Sequence, residues 1–551
     1  MHTVVGETDV ETSIHLTEYG YFLNDGTKQV IAVGSKLLRI FRINPYYSSE
    51  PLSEIDNESN GRYVPKMECI AQYSFLAPIT AISKVRLPGF QFDAIITCFD
   101  DAKVSIQYIS PAKRELEIVS LHEIHQDVLS SIFQKSYTKD FVAGDPEGRC
   151  VIALVRDSFF MVIPIPEKLT TEFFDEYIEE HQHLIKRQKP RLSNYEIKLH
   201  DLDKKFHNIT DFIIPSGQYV PTVIIMYEPK KTTAGRAAME YDTFCVAAIS
   251  FDLKERQSAI TWQVQGLPMS LQKMIHIPEP VNGILLCGVN ELIYLHQYAP
   301  GYGVRLNSNA GDYSKYYLHQ ANIKTVLDGV VVSLLSPYEI LLGSRMGELF
   351  IATIDTDAMN SVRSISVQKV SDIPIPSSII NLSRGFLFVT SLVNNSALYA
   401  YTKRSQSKIL PSLEEITKAG PIDIRELDQI DPNHDEYNKA LSHYFYGETE
   451  EEVAILEAPI KEQEYIFELI QSLLNTAPFI KVVPCVAEEI DDAFKSHLKE
   501  QVFDMAAATG HEKDGKLLFM ERTVRPHIGS SIPYVCLKLY YFRFSLKSIL
   551  D

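Results

Sequence analysis

The stretch Ile95–Ile109, Ile-Ile-Thr-Cys-Phe-Asp-Asp-Ala-Lys-Val-Ser-Ile-Gln-Tyr-Ile, decides the fold. Two runs rich in β-branched and aromatic residues flank a polar or small tetrad from Asp100 to Lys103. Two β-prone runs joined by a short polar turn are typical of a β-hairpin. This stretch therefore predicts two antiparallel strands that meet at a turn around Asp100.

The same pattern returns along the first part of the chain. Five further apolar pairs of runs share it: Val30–Ile43, Cys150–Ile165, Gly283–Tyr298, Ile340–Ile354 and Phe386–Tyr401. A seventh pairs Thr222–Tyr227 with Phe244–Phe251 across the insert Glu228–Thr243. The turns recur every ~45–75 residues, a spacing typical of four-stranded propeller blades with loops. Because an isolated hairpin cannot cover two apolar faces, repeated hairpins predict blades stacked around an axis. The fold class expected is all-β, with a seven-bladed β-propeller over residues 1–402 and further segments appended.

Composition and cysteine usage indicate a globular protein whose cysteines are reduced thiols. The 551 residues are 45% hydrophobic and 23% charged, and the seven cysteines are scattered without a Cys-x-x-Cys pair. Such usage favours reduced thiols in the cytosol or nucleus. Met1–Glu11 carries acids and no apolar segment, and the apolar runs are of strand length, so no signal peptide or membrane span is expected. A single tryptophan, Trp262, argues against WD repeats.

The net charge of −18 is concentrated in one segment. Residues 411–470 contain sixteen acids and four Lys or Arg, a net −12, which leaves −6 for the other 491 residues. We therefore expect residues 403–464 to be an acidic, disordered linker. Strand-like sequence resumes over residues 465–528 and predicts the incomplete start of a second propeller, followed by the tail 529–551. With a nearly neutral first propeller, a broad nucleic-acid footprint is not expected.

The known catalytic and ligand motifs are absent from the sequence. It contains no P-loop, complete Gly-x-Gly-x-x-Gly, Gly-x-Ser-x-Gly or His-Glu-x-x-His. Gly301-Tyr302-Gly303 is interpreted as a turn. His122-x-x-His125 and His181-x-His183 lack a third ligand at metal spacing, so exposed loop histidines are the preferred interpretation. The pair Asp100-Asp101 is interpreted as solvated turn formers rather than an acid/base dyad. The prediction is therefore no catalysis, cofactor, metal or small-molecule substrate.

Two basic patches remain as candidates for contact with RNA or a partner. The first, Lys186, Arg187, Lys189 and Arg191, belongs to the charged excursion Lys168–Arg191. The second, Lys403 and Arg404 with Lys408 nearby, follows the last predicted blade. Either patch could bind RNA phosphates or serve as a nuclear import signal. The alternative, preferred for both, is a solvated positive surface, which for the first patch balances Glu179 and Glu180.

A series of short motifs carries a family resemblance from about Ala32 to Ile528. In order along the chain they are Phe99–Ile106, Ser120–His122, Asp145–Cys150, Tyr227–Pro229, Gly235-Arg236, Tyr241–Thr243, Gly301–Ser308 and Gly343–Glu348. The series resembles the N-terminal third of the largest subunit of the cleavage and polyadenylation specificity factor. That family is shared with the damaged-DNA-binding large subunit and a spliceosomal propeller subunit. The motifs Tyr-Glu-Pro and Gly-Val-x-Leu-Asn-Ser favour the polyadenylation member.

The chain departs from the family pattern in three ways. Family members are more than twice as long, and the tail Gly529–Asp551 matches nothing expected next, so a truncated product or gene-model fragment is expected. In the last blade, Thr390–Ser396 replaces the usual Gly-Ser-Arg-x-Gly turn. Asparagine tolerates the left-handed conformation that glycine supplies. The hairpin is therefore predicted to survive, with asparagine in that conformation.

The resemblance implies a non-enzymatic nuclear scaffold of pre-mRNA 3′-end processing. In the family, the propellers hold a WD-repeat subunit and a zinc-finger subunit that read the polyadenylation signal, and pre-mRNA contact runs mostly through them. The alternative is a propeller adaptor of a cullin ubiquitin ligase or of the spliceosome. If the first propeller ends at Thr402, deletion of Lys403–Asp551 is expected to leave its melting temperature unchanged.

Overall fold

The structure is a computed structural model that describes most of the first 407 residues and several later strands. The described residues are 11–44, 65–100, 103–111, 113–123, 140–155, 159–166, 192–230, 233–313, 316–321, 323–382, 385–407, 461–476, 479–486, 503–509, 516–523 and 541–545. The chain divides into two compact units: Met1–Ala400 with Leu469–Asp551, and Tyr401–Glu468.

Seven antiparallel sheets form the blades, numbered here in chain order. Blade 1 consists of β1 (Leu16–Gly20), β2 (Gln29–Val33), β3 (Leu37–Asn44) and β4 (Lys66–Ser74), and blade 2 of β5 (Ile79–Arg86), β6 (Asp93–Phe99), β7 (Lys103–Ile109) and β8 (Leu116–Glu123). Blade 3 consists of β9 (Phe141–Gly144), β10 (Cys150–Val155), β11 (Phe159–Pro164) and β12 (Tyr195–Lys198). Blade 4 consists of β13 (Ile209–Ile213), β14 (Thr222–Tyr227), β15 (Phe244–Asp252) and β16 (Gln257–Leu267).

Blade 5 has a fifth strand, β21, that runs parallel to β20. Blade 5 consists of β17 (Leu271–His276), β18 (Ile284–Gly288), β19 (Glu291–Leu295), β20 (Tyr302–Arg305) and β21 (His319–Gln320). Blade 6 consists of β22 (Val331–Ser336), β23 (Glu339–Gly343), β24 (Glu348–Thr356) and β25 (Val362–Asp372). Blade 7 consists of β26 (Ser378–Asn381), β27 (Phe386–Thr390), β28 (Ser396–Ser407) and β29 (Lys461–Leu473). Three short helices, α1 (Leu199–Leu202), α2 (Ala234–Met239) and α3 (Ser308–Tyr313), complete the helical part of the described chain.

The first strands of the blades form a closed ring. β1 contacts β5, and the series continues through β9, β13, β17 and β22 to β26, which contacts β1 again. This closure confirms the predicted seven-bladed propeller. The hairpin that decides the fold is β6–β7, in which Phe99 pairs with Lys103 and Cys98 with Val104. The insert between β14 and β15 also falls where the sequence predicted it and contains α2.

Middle strands are apolar on both faces because each blade packs between two others. All seven residues of β6 are buried. Ile96 joins the cluster shared with blade 3, whereas Ile95 joins the cluster shared with blade 1. Outer strands such as β8 contain both buried and exposed residues instead, because the side chains on one of their faces are not fully covered. Continuous apolar runs in the sequence therefore mark the middle of each blade.

The position of β29 differs from the boundary drawn from the sequence. Residues 465–473 were expected to begin a second propeller, but the sheet order makes β29 the fourth strand of blade 7. The acidic insert separates the third strand of this blade from the fourth, so its composition resembled a domain boundary. The predicted disorder of residues 403–464 concerns a segment that lies largely outside the described residues. The other boundaries, 528 and 529, stay predictions.

The side chain of Asn475, just after β29, forms hydrogen bonds with residues from the beginning and from the end of the propeller's chain. Its side-chain amide donates to the carbonyl oxygens of Ser391, Leu392 and Asn394 at 3.0–3.2 Å. Its Oδ1 accepts from Thr12 Oγ1 at 3.0 Å. Residues before the first strand and residues in the last blade therefore bond to the same side chain.

This arrangement explains the unusual turn of blade 7. The hairpin survives, with Val389 paired to Ala397. The predicted left-handed asparagine is wrong, because neither Asn394 nor Asn395 has a positive φ. Instead, Ser391 Oγ accepts from Asn394 N at 3.0 Å. The turn that departs from the family pattern therefore binds the side-chain amide of Asn475.

An eighth sheet follows, of which mainly the backbone is described. It contains β30 (Phe479–Val486), β31 (Phe503–Thr509), β32 (Lys516–Thr523) and β33 (Tyr541–Ser545), in that order. β31 and β32 lie within residues 465–528, where the sequence predicted strands. β33 comes from the tail and pairs antiparallel with β32, which was not expected. Four antiparallel strands are what one blade requires, so a second propeller beginning here stays a prediction.

Candidate interaction surfaces

The blade topology divides the turns between two faces of the propeller. In each antiparallel blade, the turn between the second and third strands lies at the same end as the connection to the next blade. We call this end the upper face. Turns between the first and second strands, and between the third and fourth, lie at the opposite end, the lower face.

Both faces carry large apolar side chains that are exposed at loop positions. On the upper face these are Leu76, Met239, Val326 and Met346. On the lower face they are Tyr219, Tyr298, Tyr338 and Met359. Exposed apolar side chains at loop tips are typical of surfaces that bind partners, although single ones are common on any protein.

The first basic patch lies outside the described residues, but the chain that follows it is fixed. Leu192 is buried in the apolar cluster between blades 2 and 3, and its N–H donates to Ser120 Oγ at 3.4 Å. Asn194 bonds the His122 side chain. Arg191 thus immediately precedes Leu192, which is held on blade 2. The role of the patch in binding RNA or a partner (Lys186, Arg187, Lys189 and Arg191) stays a prediction.

The second basic patch is described for Lys403 only, because the side chain of Arg404 lies outside the described residues. Lys403 Nζ lies 5.4 Å from the ring centroid of Tyr465. At this distance the ammonium group is attracted by the ring face. In the same unit, the rings of Tyr401 and Phe467 lie 5.8 Å apart. Lys403 is therefore part of an aromatic cluster, and its contact with RNA or a partner stays a prediction.

His122 is not the exposed loop histidine that the sequence indicated. It lies in β8 with 1% of its surface exposed, and its Nε2 is 2.5 Å from Ser120 Oγ. Burial lowers its pKa, although the bond from Asn194 opposes this shift.

Asp100 is exposed at the β6–β7 turn, as expected. Asp101, His125, His181 and His183 lie outside the described residues. Within the described part of the chain, no three His, Cys, Asp or Glu residues form a group that could hold a metal ion.

A buried carboxyl group lies beneath the upper face between blades 4 and 5. Glu291 opens β19 and is fully buried, and Ser270 Oγ donates to its Oε1. Burial, with a smaller contribution from Asp242, raises the pKa of Glu291 to about 8. The group therefore carries a proton over much of the neutral range, which could not be predicted from the sequence.

Gly301 and Gly303 allow a neighbouring segment to lie flat against the start of β20. A Cβ at Gly303 would come within 2.6 Å of Leu318 Cδ2, and one at Gly301 within 2.9 Å of the Tyr316 hydroxyl oxygen. The Gly-Tyr-Gly motif was interpreted as a turn, and Gly301 does end the β19–β20 turn. The motif also makes room for the chain that leads into β21.

The residue between these glycines belongs to a group of aromatic rings on the opposite side of β20. Tyr302 is stacked on His319, with ring centroids 4.4 Å apart and planes 6° apart. Tyr317 meets His319 at 4.8 Å in an edge-on arrangement. Tyr298, in the preceding turn, is held beside His296, whose Nδ1 accepts from the N–H groups of Tyr298 and Ala299. We call Tyr302, Tyr317 and His319 the aromatic platform. The sequence analysis missed it because its members come from two segments.

Comparison with protein families now adds an independent observation. The family model described as the RSE1/DDB1/CPSF1 first beta-propeller matches residues 13–432. The chain belongs to this family. The match begins before β1 and extends beyond β28, so it covers almost all of the ring described above.

The chain is similar over nearly its whole length to curated proteins of the polyadenylation branch. "Probable cleavage and polyadenylation specificity factor subunit 1" of Caenorhabditis elegans is 31% identical over 542 residues, which are 96% of this chain and 35% of that protein. "Cleavage and polyadenylation specificity factor subunit 1" of Drosophila melanogaster is 28% identical over 96% of this chain and 38% of that protein. "Protein cft1" of Schizosaccharomyces pombe is 25% identical over 62% of this chain. The chain thus spans little more than a third of the length of the first two.

These similarities confirm the resemblance drawn from the sequence motifs. Names from the polyadenylation branch recur in animals and fungi, and the two animal matches each cover 96% of the chain. None of the described helices is long and apolar enough to span a membrane.

Proposed function

We propose that this chain is a non-enzymatic scaffold in the nuclear cleavage and polyadenylation machinery of pre-mRNA. The observation that carries the proposal is the similarity across 96% of the chain to proteins named as subunit 1 of the cleavage and polyadenylation specificity factor. Its propeller would hold a WD-repeat subunit and a zinc-finger subunit, and pre-mRNA would be contacted mostly through them.

The architecture supports a scaffold because a closed ring holds its loops in fixed positions. Each blade packs on both sides, so a loop tip cannot move far without disturbing a buried seam. Leu76 is presented on the upper face by the connection between blades 1 and 2, and Met346 by the β23–β24 turn of blade 6. Rigid presentation reduces the entropy lost on binding, which favours tight assembly.

The test is co-purification of the full chain with candidate partners. We expect tagged protein, co-expressed with the WD-repeat and zinc-finger subunits of the polyadenylation factor, to retain both through gel filtration. A double variant, Leu76→Ser with Met346→Ser, tests the upper face, and Met359→Ser on the lower face is the matched control. If the upper face binds, the double variant should lose about tenfold in affinity, as expected for truncated hot spots.

Two outcomes would contradict the proposal. Retention of a cullin scaffold or of splicing factors in place of the polyadenylation subunits would favour the adaptor alternative. A nuclease, hydrolase or ATPase activity that survives purification and is abolished by one point substitution would contradict the non-enzymatic role.

A further inference from the structure

We propose that the β23–β24 turn on the upper face binds a carboxylate group of a protein partner through Arg345. The proposal rests on the proposed function, because it names the chemistry that a partner of the scaffold would offer to this face. The partner would place one Asp or Glu side chain, flanked by apolar residues, against Arg345 and the neighbouring Met346. Neither residue belongs to the two basic patches.

Arg345 carries a positive charge that the described part of the chain does not pair. Its side chain is exposed, and its guanidinium group forms no hydrogen bond, ion pair or ring contact with the described residues. Two carboxylates of the same blade, Glu348 and Asp372, already bond Lys369 Nζ at 2.6 and 3.1 Å. Because the planar guanidinium group matches a carboxylate with two parallel hydrogen bonds, an incoming carboxylate is the group that suits this side chain best.

The turn that carries Arg345 is held from both neighbouring connections. On one side, Arg345 N donates to the Asp328 carbonyl at 3.0 Å. On the other, Ile373 N donates to the Gly347 carbonyl at 2.8 Å. The stem of Arg345 lies against Gly329, where an added Cβ would come within 3.2 Å of Arg345 Cβ. These contacts restrict the turn before a partner arrives, so less conformational entropy is lost on binding.

Apolar side chains next to Arg345 are exposed to solvent. Met346 is 74% exposed, and Val326, in the connection that bonds Arg345 N, is 48% exposed. Arginine and methionine are both enriched in the buried centres of protein interfaces. Apolar groups that exclude water strengthen an ion pair, so a carboxylate flanked by apolar residues should bind here more tightly than an isolated one.

The corresponding turn of blade 1 shows that such a turn can bind a carboxylate. The β2–β3 turn, Gly34-Ser35-Lys36, also has a glycine and a serine before a basic residue. There, Glu11 Oε2 accepts from Ser35 N at 2.7 Å and from Lys36 N at 3.3 Å. In blade 6 the backbone N–H of Arg345 is already bonded within the propeller, so the guanidinium group would supply the donors instead.

The surrounding charge favours a single carboxylate over a nucleic acid. The segments 323–329, 343–348 and 369–373 together contain three basic and three acidic residues: Lys324, Arg345, Lys369, Asp328, Glu348 and Asp372. A nucleic acid gains affinity from several cations along its backbone, which a surface of balanced charge does not offer. One carboxylate on an otherwise uncharged segment can meet the charge of Arg345 alone.

The experiment measures binding of the full chain to a fluorescent peptide, Gly-Ser-Leu-Glu-Phe-Glu-Leu-Ser-Gly, by anisotropy at low salt. The same peptide with both Glu replaced by Gln is the comparison. We expect the Glu peptide to bind about tenfold more tightly, as for hydrogen bonds to a charged group, and Arg345→Ala to abolish that preference. Arg345→Lys keeps the charge without the paired geometry and should retain a preference of about threefold. Arg363→Ala removes an exposed arginine near the lower face of the same blade and is the matched control.

Each outcome bears on the proposal. A preference for the Glu peptide that is lost in Arg345→Ala and kept in Arg363→Ala, with unchanged melting temperatures, supports it. Equal affinity for the two peptides, a preference that survives Arg345→Ala, or displacement of the Glu peptide by oligo(U) but not by unlabelled Glu peptide overturns it. The polyadenylation subunits are not needed in this experiment. Loss of the peptide preference therefore leaves the scaffold standing, and failure of co-purification leaves the peptide result standing.

Discussion

Two seams of the propeller, both built from packed blades, differ in the size of the apolar cluster that their described residues form. Between blades 2 and 3 the described residues form an apolar cluster of twenty buried residues, among them Ile96 and Met161. Between blades 7 and 1 the corresponding cluster has ten.

Hydrogen bonds cross both seams. Between blades 2 and 3, Gly144 N donates to Ser83 Oγ at 3.3 Å. Between blades 7 and 1, Tyr19 Oη donates to the Leu382 carbonyl at 2.5 Å, and Ser377 Oγ to the Ile14 carbonyl at 2.7 Å.

The two seams also differ in how far apart in the sequence their partners are. Blades 2 and 3 follow each other along the chain, so a short connection already limits how they can pack. The closing seam joins residues more than 360 positions apart. Apolar contact alone tolerates slippage, whereas hydrogen bonds require one register. The closing seam therefore joins the two ends of the chain through directional bonds in addition to its apolar cluster.

Truncation should have the largest effect on this comparison. A chain ending after Ser407 lacks β29 and Asn475, and should melt about 10 °C lower than the full chain or fail to fold, because several kcal/mol of closure contacts are lost. A chain ending after Thr476 keeps them and should melt within a few degrees of it. The measurement is differential scanning calorimetry of both products. Equal stability of the two would restore the boundary at Thr402 drawn from the sequence.

Loss of apolar volume at the ordinary seam should have the next largest effect. Met161→Ala removes a fully buried side chain from the cluster between blades 2 and 3. The expected destabilisation is about 2–5 kcal/mol, from lost burial and the cavity left behind. Urea denaturation measures it, with the exposed Met359→Ala as the control. A loss below about 1 kcal/mol would mean that this seam depends less on packing than we conclude.

At the closing seam, a single polar substitution should be nearly as costly. Asn475→Ala leaves the carbonyl oxygens of Ser391, Leu392 and Asn394 without this donor. Buried acceptors deprived of a partner make a loss of about 2–3 kcal/mol the expected result. The exposed Asn309→Ala is a suitable control in the same urea titration. A change no larger than that of the control would show that Asn475 occupies the turn without stabilising it.

The seam between blades 4 and 5 adds a pH-dependent effect. The pKa of Glu291 is raised to about 8, so between pH 5 and 8 the folded protein holds a proton there that the unfolded chain has released. Stability should fall as pH rises through this window, by at most about 1.4 kcal/mol per pH unit. Glu291→Gln cannot ionise and should flatten the curve, so that the variant gains most at pH 8. Parallel melting curves for the two proteins between pH 5 and 8 would contradict this account.

Local sequence pattern predicted the blades because each hairpin is a short-range structure. The runs around Asp100 carry their own turn and their own apolar faces, so β6–β7 could be placed without knowledge of the neighbours. His122 shows where this reasoning stops. Its sequence context indicated a loop, but burial depends on Leu192 and Asn194, which arrive from blade 3.

The ring closure and the aromatic platform could not be predicted for the same physical reason. Asn475 acts through residues 81 or more positions away, and a lone asparagine after an apolar run gives no local signal. Tyr302 and His319 are 17 residues apart and meet only because β21 runs parallel to β20. The acidic composition of the insert in blade 7 also placed the domain boundary before β29, because a polar insert and a domain linker have the same sequence signature.

The most direct test of the closed ring is a double-mutant cycle between its two ends. Thr12 Oγ1 donates to Asn475 Oδ1 at 3.0 Å across 463 residues of chain. The variants Thr12→Val, Asn475→Ala and their combination are compared with the parent protein by urea denaturation. Our account predicts a coupling free energy of about 1 kcal/mol, the value typical of an intramolecular hydrogen bond. Strictly additive effects would mean that these ends do not meet, and the closure described here would be contradicted.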